Sequence, residues 1–164
     1  MLLSQPCFAL RLTHEFSREH FTVLGCVRQT VAVDNPWYSG QAEVVTYSLE
    51  ELLGMKLRAF YQRKKGRDLF DLSVALSRRP DLDCAKVVDC FQRYMEAAGD
   101  RVSRAQFEAN LDGKLADAAF HSDIRPPLAA TGGAVGAFDV VDAAQAVLTR
   151  FIALKPGEPR RGRS

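Results

Sequence analysis

Two hydrophobic periodicities divide the chain. Up to about residue 47 the apolar positions come in short β-prone runs: Phe8-Ala9-Leu10-Arg11-Leu12, Phe21-Thr22-Val23-Leu24, Val31-Ala32-Val33 and Glu43-Val44-Val45-Thr46-Tyr47. Asp34-Asn35-Pro36 and Ser39-Gly40 punctuate them as turns. From Ser48 the spacing turns helical. Ser48, with Glu51 three residues on, has capping-box form and opens a helix predicted to reach about Lys64, where Gly66 breaks it. A second helix is predicted over about Arg67 to Arg78, stopped by Pro80, and a third over about Cys84 to Ala98, ended by Gly99. Ser103 and Gln106 form another capping box ahead of Phe107, Leu111 and Leu115 at helical spacing. Phe138 to Leu154 reads as a last amphipathic helix.

Strands followed by helices predict an α+β, predominantly helical fold. Four segments follow: a partial β region over 1–47, a helical region over 48–125, a linker and C-terminal helix over 126–154, and a disordered tail over 155–164. About 47 residues supply too little sheet for an independent α/β domain, so the β region reads as the remnant of a sheet that began earlier.

Charge changes this picture in one place. The segment 48–72 holds six basic residues, Lys56, Arg58, Arg63, Lys64, Lys65 and Arg67. At ~100° per residue from Leu49, the side chains of Leu52, Leu53 and Phe60 form the apolar stripe. Lys56 and Arg63 fall near −20° and −40° by the same approximate count, inside the stripe. Arg58, Lys64 and Lys65 fall off it and read as solvated charges. A charge on a buried face costs several kcal/mol, in rough terms, unless paired. Asp68 and Asp71, one helical turn apart, are the nearest partners. The sequence therefore predicts a half-buried constellation of Lys56, Arg63, Arg67, Asp68 and Asp71 where two helices meet. Two readings stay open for it. One is an ion-pair network that only ties the corner. The other is an anion site in which Lys56 and Arg63 hold phosphates and the carboxylates orient them.

The stretch YSLEELLGMKLRAFYQRKKGRDLFDL, with a Lys, then an Arg, then Arg-Asp and a further Asp three residues on, resembles the AbiEii/AbiGii toxin family of nucleotidyltransferases. The resemblance extends to Ser17-Arg18-Glu19-His20-Phe21 upstream and Ser103-Arg104-Ala105-Gln106-Phe107-Glu108 downstream, and covers roughly residues 8–152. It implies a nucleotidyltransferase-like fold, of whose sheet residues 1–47 would be the remnant, and transfer from a magnesium-bound nucleoside triphosphate (NTP) to an RNA acceptor, with tRNA ends among the acceptors. It also implies the toxin side of a toxin–antitoxin or phage-abortive pair, with a cognate antitoxin protein as partner. Carried over by position, Lys56 contacts the triphosphate, and Asp68 completes the site with Arg63 and Arg67.

The sequence departs from the family pattern where metal chemistry should be. Two metal-binding carboxylates on a Gly-Ser turn and strand are needed to hold the ions that bridge attacking and leaving oxygens. No Gly-Ser followed by Asp-x-Asp occurs in these 164 residues. Asp81-Leu82-Asp83 has the spacing but precedes a helix, where capping is the simpler role. Asp139 and Asp142 read as surface charges on the last helix. The family's third acidic residue best matches Glu15, although the local register is one residue short. The expected site is thus Asp68 and Glu15 in catalytic roles and Lys56, Arg63, Arg67 and Asp71 binding nucleotide, with no metal ligand identified. The chain is expected to be a truncated form, inactive alone. The alternative is a non-catalytic module that binds nucleotide, RNA or antitoxin.

Other features exclude classes rather than add chemistry. No run approaches the roughly 18 apolar residues that cross a membrane. The first residues lack a basic n-region, which argues against a signal peptide. Cys7, Cys26, Cys84 and Cys90 are scattered without a CxxC pair, which predicts reduced thiols and a cytoplasmic location. His14 and His20 read as exposed strand positions. His121-Ser122-Asp123 reads as a loop in which Asp123 serves as a cap. Gly132-Gly133 lacks the Lys-Ser or Lys-Thr of a phosphate loop. Net charge is only +2, and the Arg-rich tail reads as solvated.

Overall fold

The computed structural model describes residues 22–124 and 138–151. The chain divides into two compact units, residues 1–49 and 50–164. The expected Phe8–Leu12 strand, Glu15, both early histidines, the 125–137 linker and the tail lie outside the described residues.

In the first unit β1 (Cys26–Asn35) and β2 (Tyr38–Tyr47) form a two-stranded antiparallel hairpin with Cys26 opposite Tyr47 and Asn35 opposite Tyr38. The Asn35 Oδ1 accepts from the backbone N–H of Trp37 (3.0 Å) and Tyr38 (2.9 Å), and Pro36 fixes φ within the two-residue loop. The register places Val27, Val31 and Val33 on one face with Ala42 and Val44, and pairs Arg28 with Glu43 on the other. Two expectations fail here. Thr22–Leu24 is not strand, and Ser39-Gly40 lies inside β2 rather than in a turn. The Tyr38 phenol lies over Gly40, where a Cβ would stand, so this glycine gives room to an aromatic ring rather than bending the chain. Cys26 is disulfide-bonded, which corrects the expectation of four reduced thiols; spacing along a chain does not report proximity in space. Cys84 and Cys90 are free.

The second unit is helical: α1 (Leu49–Gln62), α2 (Gly66–Arg78), α3 (Cys84–Ala97), α4 (Arg104–Leu115), α5 (Ala118–Ser122) and α6 (Val140–Phe151). The fold is α+β and predominantly helical, as the periodicity predicts. Most helix ends follow the local signals. Asp83 caps α3 by accepting from the Lys86 N–H, and Ser103 and Gln106 form the capping box of α4. Asp139 accepts from the N–H groups of Val141 and Asp142 and starts α6. Beyond α3, Gly99 at φ +85° donates to Glu96 O while Asp100 N–H reaches Met95 O, a Schellman closure. Two features escaped the pattern. His121 and Ser122, expected in a loop with Asp123, belong to α5, which Asp117 caps. Gly66, expected as a breaker, is the first residue of α2. A Cβ there would collide with the Phe120 carbonyl oxygen and the Ile124 side chain, so glycine allows α5 to approach.

The core is built on phenylalanines. Phe60 lies 6.0 Å from Phe107 and 6.2 Å from Phe120, and Phe91 meets Phe107 edge-on at 6.0 Å, joining α1, α3, α4 and α5. Gly54 lets α3 approach α1, since a Cβ on it would meet Cys90 Cβ at 2.5 Å. The last helix packs against α2, α3 and α4 and buries Val147 and Phe151. No helix among the described residues is long and apolar enough to cross a membrane.

Candidate functional site

The α1–α2 corner gathers the charged residues. Only residues 63–65 separate the two helices, so the chain must turn sharply between them. Arg63 N–H still reaches Ala59 O (2.9 Å), which holds Arg63 on the helical path just past α1. Asp68 stands in the first turn of α2, where a carboxylate complements the helix dipole, and Asp71 follows one turn later. Lys56 Nζ donates to Asp68 Oδ1 (3.4 Å) and Asp71 Oδ2 (2.9 Å). Arg63 Nη2 lies 3.3 Å from both oxygens of Asp68.

Burial ranks these groups. The Asp68 side chain is 1% exposed, against 33% for Lys56, 37% for Arg63 and 48% for Asp71. Asp68 is the fixed, desolvated anchor, tolerable only because two cations face it. Lys56 and Arg63 bridge from it toward solvent. An ammonium has three donors, and Asp68 and Asp71 take two of those on Lys56. The corner can therefore present a positioned cation to an incoming anion without leaving its buried carboxylate unpaired.

The expected five-residue constellation is assembled without Arg67. That residue is exposed, and among the described residues its side chain forms no ion pair with Asp68 or Asp71. Its backbone N–H instead donates to Asp123 Oδ2 (3.3 Å), so Asp123 caps the start of α2. Arg58, expected to be solvated, is half-buried, whereas Lys64 and Lys65 are exposed. The position of Glu15 relative to the corner lies outside the described residues. Asp81 pairs with Arg79 (3.0 Å) and Asp83 caps α3, so this Asp-x-Asp spacing is structural.

Comparison with known proteins decides the family. The model of the nucleotidyl transferase AbiEii toxin family, of type IV toxin–antitoxin systems, matches residues 16–147. The chain belongs to this family. No curated protein and no solved structure gives a significant match. The AbiEii match encloses α1 through α5 and both residues of the hairpin turn, and it agrees with the resemblance carried by the Lys56–Asp71 stretch.

Nucleotidyl transfer in general uses a divalent metal, and the described part of this AbiEii chain does not fit one. It contains no group of three or more His, Cys, Asp or Glu side chains able to hold an ion. The two corner carboxylates already face cations. A triphosphate fits better, because Lys56 and Arg63 are partly exposed cations of the kind that bind phosphate.

Two buried charges in the AbiEii chain have partners that the sequence pattern does not assign: Glu51, read there as a capping-box residue, and Lys114. Glu51, 0% exposed, accepts from the Tyr94 hydroxyl (2.6 Å) across α1 and α3. Lys114, 2% exposed, donates to Tyr61 O (2.9 Å) and to Asn110 Oδ1, and its Nζ lies 5.0 Å from the centre of the Phe60 ring. Burial, and then the nearby Lys64, push Lys114 down to about 8, with Asp68 pulling the other way. A signal for Lys114 did exist. It follows Phe107 and Leu111 at helical spacing, the same placement on an apolar stripe that singled out Lys56.

Proposed function

We propose that this AbiEii-family chain grips a nucleoside triphosphate at the α1–α2 corner, as the nucleotide-binding part of nucleotidyl transfer to an RNA acceptor such as tRNA. The observation that carries the reading is the convergence of Lys56 and Arg63 on the buried carboxylate of Asp68. In this reading Lys56 takes the triphosphate as a point charge, and Arg63 supplies planar donors to a second phosphate oxygen. Asp68 orients both cations, and Asp71 holds Lys56 from the solvent side. Glu15 supplies a further carboxylate, and Arg67 joins only when ligand draws its side chain inward. Magnesium accompanies the nucleotide. The protein acts as a cytoplasmic toxin restrained by a cognate antitoxin protein.

The chain is further proposed not to complete transfer by itself. Support comes from the sequence, which offers no Gly-Ser with a following Asp-x-Asp and no other pair of carboxylates suited to two cations. The test is a transfer assay with each labelled NTP, magnesium and a total tRNA pool, run beside Lys56→Ala. Label incorporated by the wild type and lost in the variant would support the corner and overturn the claim of inactivity. Without incorporation, NTP affinity is measured on both proteins. Binding weakened about tenfold or more in Lys56→Ala supports the grip. Equal binding by the two proteins, or none by either, sinks it.

A further inference from the structure

A second cationic feature shares Arg63 with the corner. A cleft of about 300 Å³ opens between the end of α1 and the middle of α4, its wall formed by Tyr61, Arg63, Lys64, Asn110, Gly113 and Lys114. Three of those six residues are cations, and no carboxylate lines the cleft among the described residues. Two carboxylates outside the lining pair with two of these cations: Asp68 lies 3.3 Å from Arg63 and Asp117 lies 3.6 Å from Lys64, which leaves Lys114 as the cation without a carboxylate contact among the described residues. The volume is at the lower end for small-ligand sites.

We infer that this cleft is a phosphate site, taking a phosphate group of a nucleotide or of a nucleic-acid backbone. Lys114 is the base of the site, buried yet charged at neutral pH, and held by Tyr61 O and Asn110 Oδ1. Because Lys114 occupies the Asn110 oxygen, the end of that amide left over is its NH₂ donor. Arg63 and Lys64, held by Asp68 and Asp117 respectively, add positive charge to the lining. Gly113 leaves the α4 wall bare, for a Cβ there would meet nothing within 4 Å. The Tyr61 ring, backed by Phe107 at 5.6 Å in a stacked arrangement, gives the same cleft an aromatic surface of the kind that accepts a base.

The inference rests on the nucleotidyl-transfer reading only for the kind of phosphate, and its test starts from inorganic pyrophosphate. Pyrophosphate is titrated into the full chain by calorimetry, with Gly113→Glu, Lys64→Gln, Lys114→Met and Lys56→Ala in parallel. Gly113→Glu is the decisive variant, since it adds a negative charge at an open helical position and its folding is checked by circular dichroism. The expected result is affinity weakened about tenfold or more in Gly113→Glu, from one added negative charge at short range. Lys56→Ala tells the two sites apart, because pyrophosphate held at the α1–α2 corner would lose its point charge, whereas pyrophosphate held in the cleft would keep Arg63, Lys64 and Lys114. Unchanged pyrophosphate binding in Gly113→Glu, or none in the wild type, overturns the site. Binding lost in Lys56→Ala but kept in Gly113→Glu would place the phosphate at the α1–α2 corner instead, which would overturn this inference and leave the function standing. Conversely, NTP binding insensitive to Lys56→Ala would sink the corner and leave a Gly113-sensitive cleft intact. ATP and a single-stranded oligoribonucleotide are then titrated in turn. A Gly113→Glu defect confined to the oligonucleotide identifies a backbone phosphate, and one confined to ATP identifies the nucleotide's own.

Discussion

The buried carboxylate of Asp68 should be the most sensitive point of the α1–α2 corner, and Asp68→Asn tests this with almost no change of shape. The substitution keeps one carbonyl acceptor and turns an NH₂ group toward a cation. It weakens contacts to Lys56 Nζ (3.4 Å) and Arg63 Nη2 (3.3 Å to each oxygen) that the charged form makes. Breaking a fully buried pair costs roughly 3–5 kcal/mol, and an exposed one about 1 kcal/mol or less. Here the anion is buried and the cations are a third exposed, so water can take over part of their solvation. Lys56 also keeps Asp71 at 2.9 Å. The expected loss is therefore about 2–3 kcal/mol, most of it through Arg63. Urea unfolding followed by circular dichroism measures it, with a cycle through Arg63→Met to isolate the pair. The loss should shrink as salt is raised, because both cations reach solvent. An Asp68→Asn protein within about 0.5 kcal/mol of wild type would refute the reasoning. The corner would then not be held by charge pairing, and the orienting role given to Asp68 would fall with it.

Two glycines should respond in opposite directions: Gly113→Ala, in open space within α4, should gain about 0.5–1 kcal/mol from helix propensity. Gly66→Ala should lose about 2 kcal/mol or more against the Phe120 carbonyl, and equal effects in urea titrations would contradict both packing accounts. Tyr94→Phe withdraws the hydroxyl that donates to the fully buried Glu51 and should cost about 1–2 kcal/mol, while a neutral result would mean another donor suffices. For Lys114, pushed down to about 8 from its ordinary 10.5, the unfolded chain holds the proton more tightly than the folded one between those values. Stability should therefore rise with pH from about 8 to 10.5, by an amount on the order of 3 kcal/mol at most. Lys114→Met should lack that rise, and parallel pH profiles for the two proteins would exclude it.

The helical unit was legible largely because its boundaries are set locally. Asp83, the Ser103–Gln106 box and Gly99 act within a few residues of themselves, and the structure uses each one as its sequence context implies. What failed depends on who the neighbour is. Gly66 has the composition of a helix breaker, yet its lack of a side chain serves the approach of Phe120 from α5, more than fifty residues along the chain. The cap of α2 comes from Asp123, equally remote. The α1 stripe is the instructive case. Counted from Leu49, its buried residues Glu51, Leu53, Gly54, Leu57 and Phe60 centre on the order of 90° away from the expected face. The rotation follows from Gly54, which admits α3 on that side, and it leaves Lys56 and Arg63 on the flank that α2 covers. A helix with two neighbours carries two buried faces, one apolar and one charged. Seen as a single stripe, its lysine and arginine look like charges inside the core. Placed between α1 and α2, they lie at its edge, half-exposed, where a cation can hold a buried aspartate and still meet a phosphate.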